Sequence, residues 1–226
     1  AAADDRPSAT APPAPQAPIP ETPLGTRMSS GPFLDEKIVL IDRALADAKI
    51  AHAFGGALAL AYYAEPRATI DVDVNIFVTP ARAGRTLDVL AQLGATVDRA
   101  AALTAARRDG QTRVRWTRTP IDLFFAYDPF HTACKQRQRR VPFGDTTIPI
   151  LAPEHLVVCK VAFDRRKDWL DVEQILFVGG ATLDIDEIML WVRRLVPSDD
   201  RRIKKLGTLV GRVQGTRPPT NDRLGR

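Results

Sequence analysis

The chain is 226 residues long, 45% apolar, and carries a formal net charge of +5. That length suits one domain with a core of its own, and no apolar run reaches the roughly 18 residues that a membrane-spanning helix requires. The positive balance admits an anionic partner without choosing one. The two cysteines, Cys134 and Cys159, form neither a CxxC nor a Cys/His cluster, which fits reduced thiols in a cytosolic protein.

Residues 1–32 hold eight of the eighteen prolines, spaced by Ala, Ser and Thr. Such a composition buries no core and predicts an extended or disordered tail. It contains no apolar stretch of the kind a secretory signal needs, and Met28 is a candidate alternative start. A helix is expected over roughly Leu34 to Ala51, with Ile38, Leu40, Ile41, Leu45 and Ile50 on its apolar side. The short apolar piece His52-Ala53-Phe54 follows, then Gly55-Gly56, then a helix-like run to Ala64. Arg67 to Val78 reads as a strand. Thr79-Pro80 is a helix start with Pro at the first helical position, and Gly94 is its stop. Thr112–Arg118 and Ile121–Tyr127 form a predicted hairpin. Gly144-Asp145 is a turn, and Thr147–Leu151 a short edge strand. Helices are expected near 153–164, 167–178, 185–195 and 199–212. Strands and helices interleaved first, then helices alone, describe an α+β domain with a helical C-terminal part. From about Gln214 the chain turns polar and is expected to fray.

Two acids sit in the middle of the apolar strand, although Asp is depleted in strands. Alternate residues share a face, so Asp71, Asp73 and Asn75 point one way, while Ile70, Val72, Val74, Ile76 and Val78 point into the core. The two carboxylates are then about 6.5–7 Å apart, close enough to share a metal pair; a solvent-facing polar side would explain the same alternation. Asp122 lies in the apolar run Pro120-Ile121-Asp122-Leu123-Phe124-Phe125, where an unpaired Asp is costly. If its strand lies beside the first, three carboxylates converge on one patch suited to magnesium. Gly55-Gly56 is consistent with a tight turn and equally with a phosphate approaching a helix N-terminus.

The ordered run from Gly55-Gly56 through Arg67, Thr69, Asp71 and Asp73 resembles the first motif of the DNA polymerase β-like nucleotidyltransferase superfamily. More narrowly, it is similar to the AbiE/MenT-type toxin nucleotidyltransferases of toxin–antitoxin systems. Asp122 matches the third acid of that family, and Lys160 followed by Arg165-Arg166-Lys167-Asp168 and Asp171 matches its downstream helical element. The resemblance covers residues 35–180. It implies a polymerase β-like core over 33–151, a mixed twisted sheet with helices packed on it. A helical region over 152–213 and a flexible tail over 214–226 would follow. It further implies two magnesium ions on Asp71, Asp73 and Asp122, with Asp122 helping to deprotonate the acceptor. Gly55, Gly56, Arg67 and Thr69 would contact a nucleoside triphosphate, with Lys160 or Lys167 neutralising phosphate charge. Asp168 and Asp171 would either support the site from behind or pair structurally with Arg165 or Lys167. Lys160 has an equally plain alternative in pairing with Asp164.

The toxin branch implies transfer to the 3′ end of transfer RNA in the cytoplasm and a cognate antitoxin, in some cases a kinase-like one that phosphorylates the position of Thr69. Two basic runs, Lys135 to Arg140 and Arg193 to Lys205, could follow an RNA backbone or form a solvated, ion-paired surface. Two other readings stay open. One is nucleotidyl transfer to a small molecule, as in aminoglycoside nucleotidyltransferases. The other is an inactive relative that binds a nucleotide or a protein partner.

Overall fold

The computed structural model describes residues 31–215. The expectations for the Pro-rich tail and for the polar C-terminus lie almost wholly outside those residues. The described chain opens with α1 (Leu34–Asp47), β1 (His52–Phe54) and α2 (Gly56–Leu60), then β2 (Val72–Ile76). A 3-10 turn, Pro80–Arg82, leads into α3 (Ala83–Gln92), followed by α4 (Arg99–Asp109), β3 (Gln111–Trp116) and β4 (Thr119–Phe125). Then come α5 (Pro129–Arg137), β5 (Arg139–Phe143) and β6 (Thr146–Ile150), and finally α6 (Pro153–Phe163), α7 (Arg166–Gly179), α8 (Ile185–Leu195) and α9 (Arg201–Gly215). No described helix is long and apolar enough to cross a membrane.

The six strands form one mixed sheet in the order β3-β4-β2-β1-β6-β5. β2 and β4 run parallel at its centre, with Val72 opposite Ile121 and Ile76 opposite Phe125. The predicted hairpin is present as antiparallel β3 and β4. Strand alternation divides the two faces. Val72, Val74 and Ile76 of β2, Ile121, Leu123 and Phe125 of β4, and Val114 and Trp116 of β3 are buried. Helix α4 packs against β3, α1 against β6, and α3 bridges the two helices. The other face of β2 and β4 carries the acids and looks toward α6 and α7.

Several expectations change. β6 is not an edge strand: it lies between β1 and β5. The edge is β5, which the basic pair Arg139-Arg140 concealed as a charge run. Ile70 does not enter the core; it is 71% exposed. The ladder begins only at Val72, because Thr69 to Asp71 close a local turn in which the Asp71 amide donates to Thr69 Oγ1 at 3.2 Å. The helix expected to reach Ala64 ends at Leu60, and Tyr62 and Tyr63 continue as turns.

Two helices carry too faint an apolar pattern to be read from the chain. α4 buries only Ala102 and Ala106, and α5 only Phe130 and Cys134. Their ends are nonetheless well marked. Asp98 accepts from the Ala101 amide at 3.0 Å, Gly110 closes α4 in the left-handed region, and Asp128 accepts from the Phe130 amide at 2.8 Å.

Candidate active site

The tight parallel pairing of β2 with β4 builds the site. Asp73 stands directly opposite Asp122 in the register, and Asp71, just before the ladder, lines the same cleft. All three line one cleft between the sheet and the α6–α7 junction, together with Gly56, Arg67 and Thr69. Lys160, Arg165, Lys167 and Asp168 enter from the helices. The structure thus brings together residues as far apart in sequence as Gly56 and Asp168. Gly55 ties the start of α2 to β2, its amide donating to the Asp73 carbonyl at 2.9 Å.

Gly56 is held at φ +54°, and a Cβ built there would fall 1.7 Å from Asp73 Oδ2. Both the backbone conformation and the approach of the carboxylate therefore require glycine. Gly56→Ala is expected to displace the Asp73 side chain and to cost about 1–3 kcal/mol in stability. The check is urea denaturation alongside an activity assay, with activity falling further than the stability loss explains.

Asp71 and Asp73 form no ion pair among the described residues, whereas the other acids of the cleft are all engaged. Asp122 accepts two bonds from Arg113, at 2.6 and 2.7 Å. Asp168 is held by Arg165 at 2.6 and 3.1 Å. Asp171 accepts from Lys160 at 2.6 Å and from Arg67 at 3.2 Å. Burial first, and then the neighbouring carboxylates of Asp122 and Asp71, push Asp73 up to about 6. Lys160 and Arg165 oppose that rise.

These pairings decide alternatives that the sequence left open. Lys160 does not pair with Asp164; it is 3% exposed and tied to Asp171. Asp164 instead caps α6 in the left-handed region and binds Trp169 Nε1 and Arg201. Lys167 is exposed on the cleft wall and has no ion pair among the described residues. Asp168 pairs with Arg165, and Asp171 with Lys160 rather than Lys167. Arg113 was missed altogether. Its signal was available in the hairpin register, which sets Arg113 opposite Asp122.

The donor set fits a hard cation, being all carboxylate oxygen with two acids unpaired. Among the described residues, however, no three acidic, His or Cys side chains stand together as a ready-made metal site. The third acid is occupied by a guanidinium.

Two solved structures of the antibiotic-resistance factor ANT(2'')-Ia align with the chain. The crystal structure in complex with adenylyl-2''-tobramycin matches with a TM-score of 0.51 and 12% identity, over 72% of this chain and 98% of that one. The solution structure matches at 0.50 and 12%, over 71% and 89%. The fold is that of a nucleotidyltransferase. An antigenic nucleotidyltransferase-like protein from Paracoccidioides brasiliensis aligns more loosely, with a TM-score of 0.40 and 14% identity over 78% of this chain and 91% of that one. No family model matches the chain, and no curated protein is detectably similar in sequence. At these identities the nucleotidyltransferase likeness describes the backbone, and the chemistry must be argued from the side chains.

Proposed function

We propose that the protein is a magnesium-dependent nucleotidyltransferase toxin that moves a nucleotide from a nucleoside triphosphate to the 3′ end of transfer RNA in the cytoplasm, blocking translation. The observation that carries the transfer reading is the cross-strand register of Asp73 and Asp122, with Asp71 beside them and basic groups facing them. Asp71 and Asp73 would hold two magnesium ions, and Asp122 one of them. Such ions neutralise charge on the triphosphate and favour in-line displacement. In that displacement the acceptor oxygen bonds to the α-phosphorus, the bond to pyrophosphate breaks, and the acceptor proton passes to Asp122.

The remaining residues bind and orient. Lys167, exposed on the cleft wall, neutralises the phosphates. Arg67 reaches the cleft from its bond to Asp171, and Gly55-Gly56 would meet the triphosphate through their backbone. Lys160, Asp168 and Asp171 hold α6, α7 and Arg67 in register behind the site. Arg113 must release Asp122, or share it, before that carboxylate can serve. The Arg113–Asp122 pair is largely solvent-exposed on its Arg side, so it contributes about 0–1 kcal/mol to stability. Arg113→Ala is accordingly expected to leave the melting temperature nearly unchanged and to lower the magnesium concentration needed for half-maximal activity several-fold; metal titration of both proteins checks this.

Thr69 lines the cleft two residues from Asp71. A phosphate there would add about −1.5 to −2 charges beside the acids and repel the triphosphate, so a kinase-like antitoxin acting on Thr69 would switch the enzyme off. Mass spectrometry after co-expression with a neighbouring antitoxin gene tests this; an invariably unmodified Thr69 removes it.

A small-molecule acceptor is the second reading, motivated by the adenylylated tobramycin in the ANT(2'')-Ia structure. Incubation with magnesium, each labelled nucleoside triphosphate, and either total RNA or an aminoglycoside panel separates the two. Label confined to transfer RNA supports the toxin, and label confined to the aminoglycosides supports the second reading. No transfer to either, with Asp71→Ala behaving like the parent, would sink both.

A further inference from the structure

Ten large apolar side chains are exposed among the described residues, and of these only Phe163 lines the catalytic cleft. It is the last residue of α6 and is 45% exposed. An open aromatic ring forfeits part of the stabilisation that burial of such a side chain supplies. Its neighbours hold it in place. Phe124, two residues beyond Asp122 on the same face of β4, meets it edge-on with ring centroids 5.7 Å apart. The Arg165 guanidinium lies over the ring at 4.9 Å and is itself fixed by Asp168. Behind it the chain turns sharply at Asp164, which is anchored by Trp169 and Arg201. The ring is therefore ordered before any ligand arrives, which lowers the entropic cost of binding on it. Nothing in the transfer chemistry uses it.

We propose that Phe163, backed by Phe124 and Arg165, stacks the nucleobase of the incoming nucleoside triphosphate. The proposal rests on the nucleotidyltransferase reading and adds where the base is held. Stacking recognises the π-face that every base has, so the site discriminates weakly among the four nucleotides.

The test compares equilibrium binding of ATP and of inorganic tripolyphosphate, both with magnesium, to the parent protein, Phe163→Ala and Phe163→Trp. The parent is expected to bind ATP roughly 5- to 100-fold more tightly than tripolyphosphate, the increment that stacking one base supplies. Phe163→Ala removes most of that difference and leaves tripolyphosphate binding unchanged; Phe163→Trp retains it. Equal weakening toward both ligands, or an unchanged ratio in Phe163→Ala, overturns the assignment. A rise in KM for the acceptor alone overturns it too, since the ring would then serve the acceptor's base. Parent protein that binds neither ligand overturns the transfer reading itself, a result distinct from all of these.

Discussion

Asp73→Asn is expected to cut nucleotidyl transfer severely while making the magnesium-free protein more stable. On the proposed function, the variant lacks one of the two unpaired carboxylates that would hold magnesium, and deleting a charge-stabilising group of this kind lowers activity by about 10²–10³-fold. The gain in stability follows from the crowding that burial and two neighbouring acids impose on Asp73. A rise from 3.8 to about 6 corresponds to about 3 kcal/mol at most, and solvent at the cleft mouth reduces it. The sign is that of a raised carboxylate. Below pH about 4 the group is protonated in both folded and unfolded chains, and the difference vanishes. Between about 4 and 6 the folded chain binds the extra proton, so stability falls as pH rises, and above 6 the full cost remains. Melting temperatures of parent and variant should therefore coincide near pH 4 and diverge toward pH 7. Added magnesium should raise the parent and leave the variant unmoved. Identical melting curves across this range would contradict the account.

Lys160→Ala is expected to be among the most destabilising single changes in the cleft, by about 3–5 kcal/mol. Lys160 and Asp171 are both almost fully buried and bonded at 2.6 Å, and removing one partner leaves the other charge stranded in a low-dielectric interior. Arg67 also reaches Asp171 and moderates the loss toward the lower end of that range. Replacing both partners, as in Lys160→Met with Asp171→Leu, should cost less than Lys160→Ala, since no uncompensated charge remains. Urea denaturation of the three proteins measures the order. Lys167→Ala should behave oppositely. As an exposed side chain it should change stability by no more than about 0.5 kcal/mol, while activity falls on the order of 10²-fold. This contrast separates the two lysines that the sequence motif left equivalent.

How much of this was readable from the chain varied with the kind of signal. The DxD alternation placed Asp71 and Asp73 on one face and Val72, Val74 and Ile76 in the core, because a strand's two-residue period follows from backbone geometry alone. The hairpin and the four C-terminal helices were legible for similar reasons, carrying dense apolar positions between clear breakers. Helices α4 and α5 were not, since an alanine face and a two-residue contact leave little periodicity to detect. Ile70 misled because the alternation continues in sequence beyond the point where the ladder stops pairing. β6 looked like an edge because its outer neighbour, β5, is written in arginines.

Spacing along the chain was enough to nominate the three acids, since residue type and period are local properties. The identity of each charge's partner was beyond its reach. Lys160 meets Asp171 rather than Asp164, and Arg113 takes Asp122, because α6 folds back on α7 and β3 sets its side chains across from β4. Asp73 is costly to ionise for the same reason: β2 and β4 lie side by side and bury like charges together. Electrostatic energies depend on distance through space, and the distances that matter here join segments far apart in the sequence.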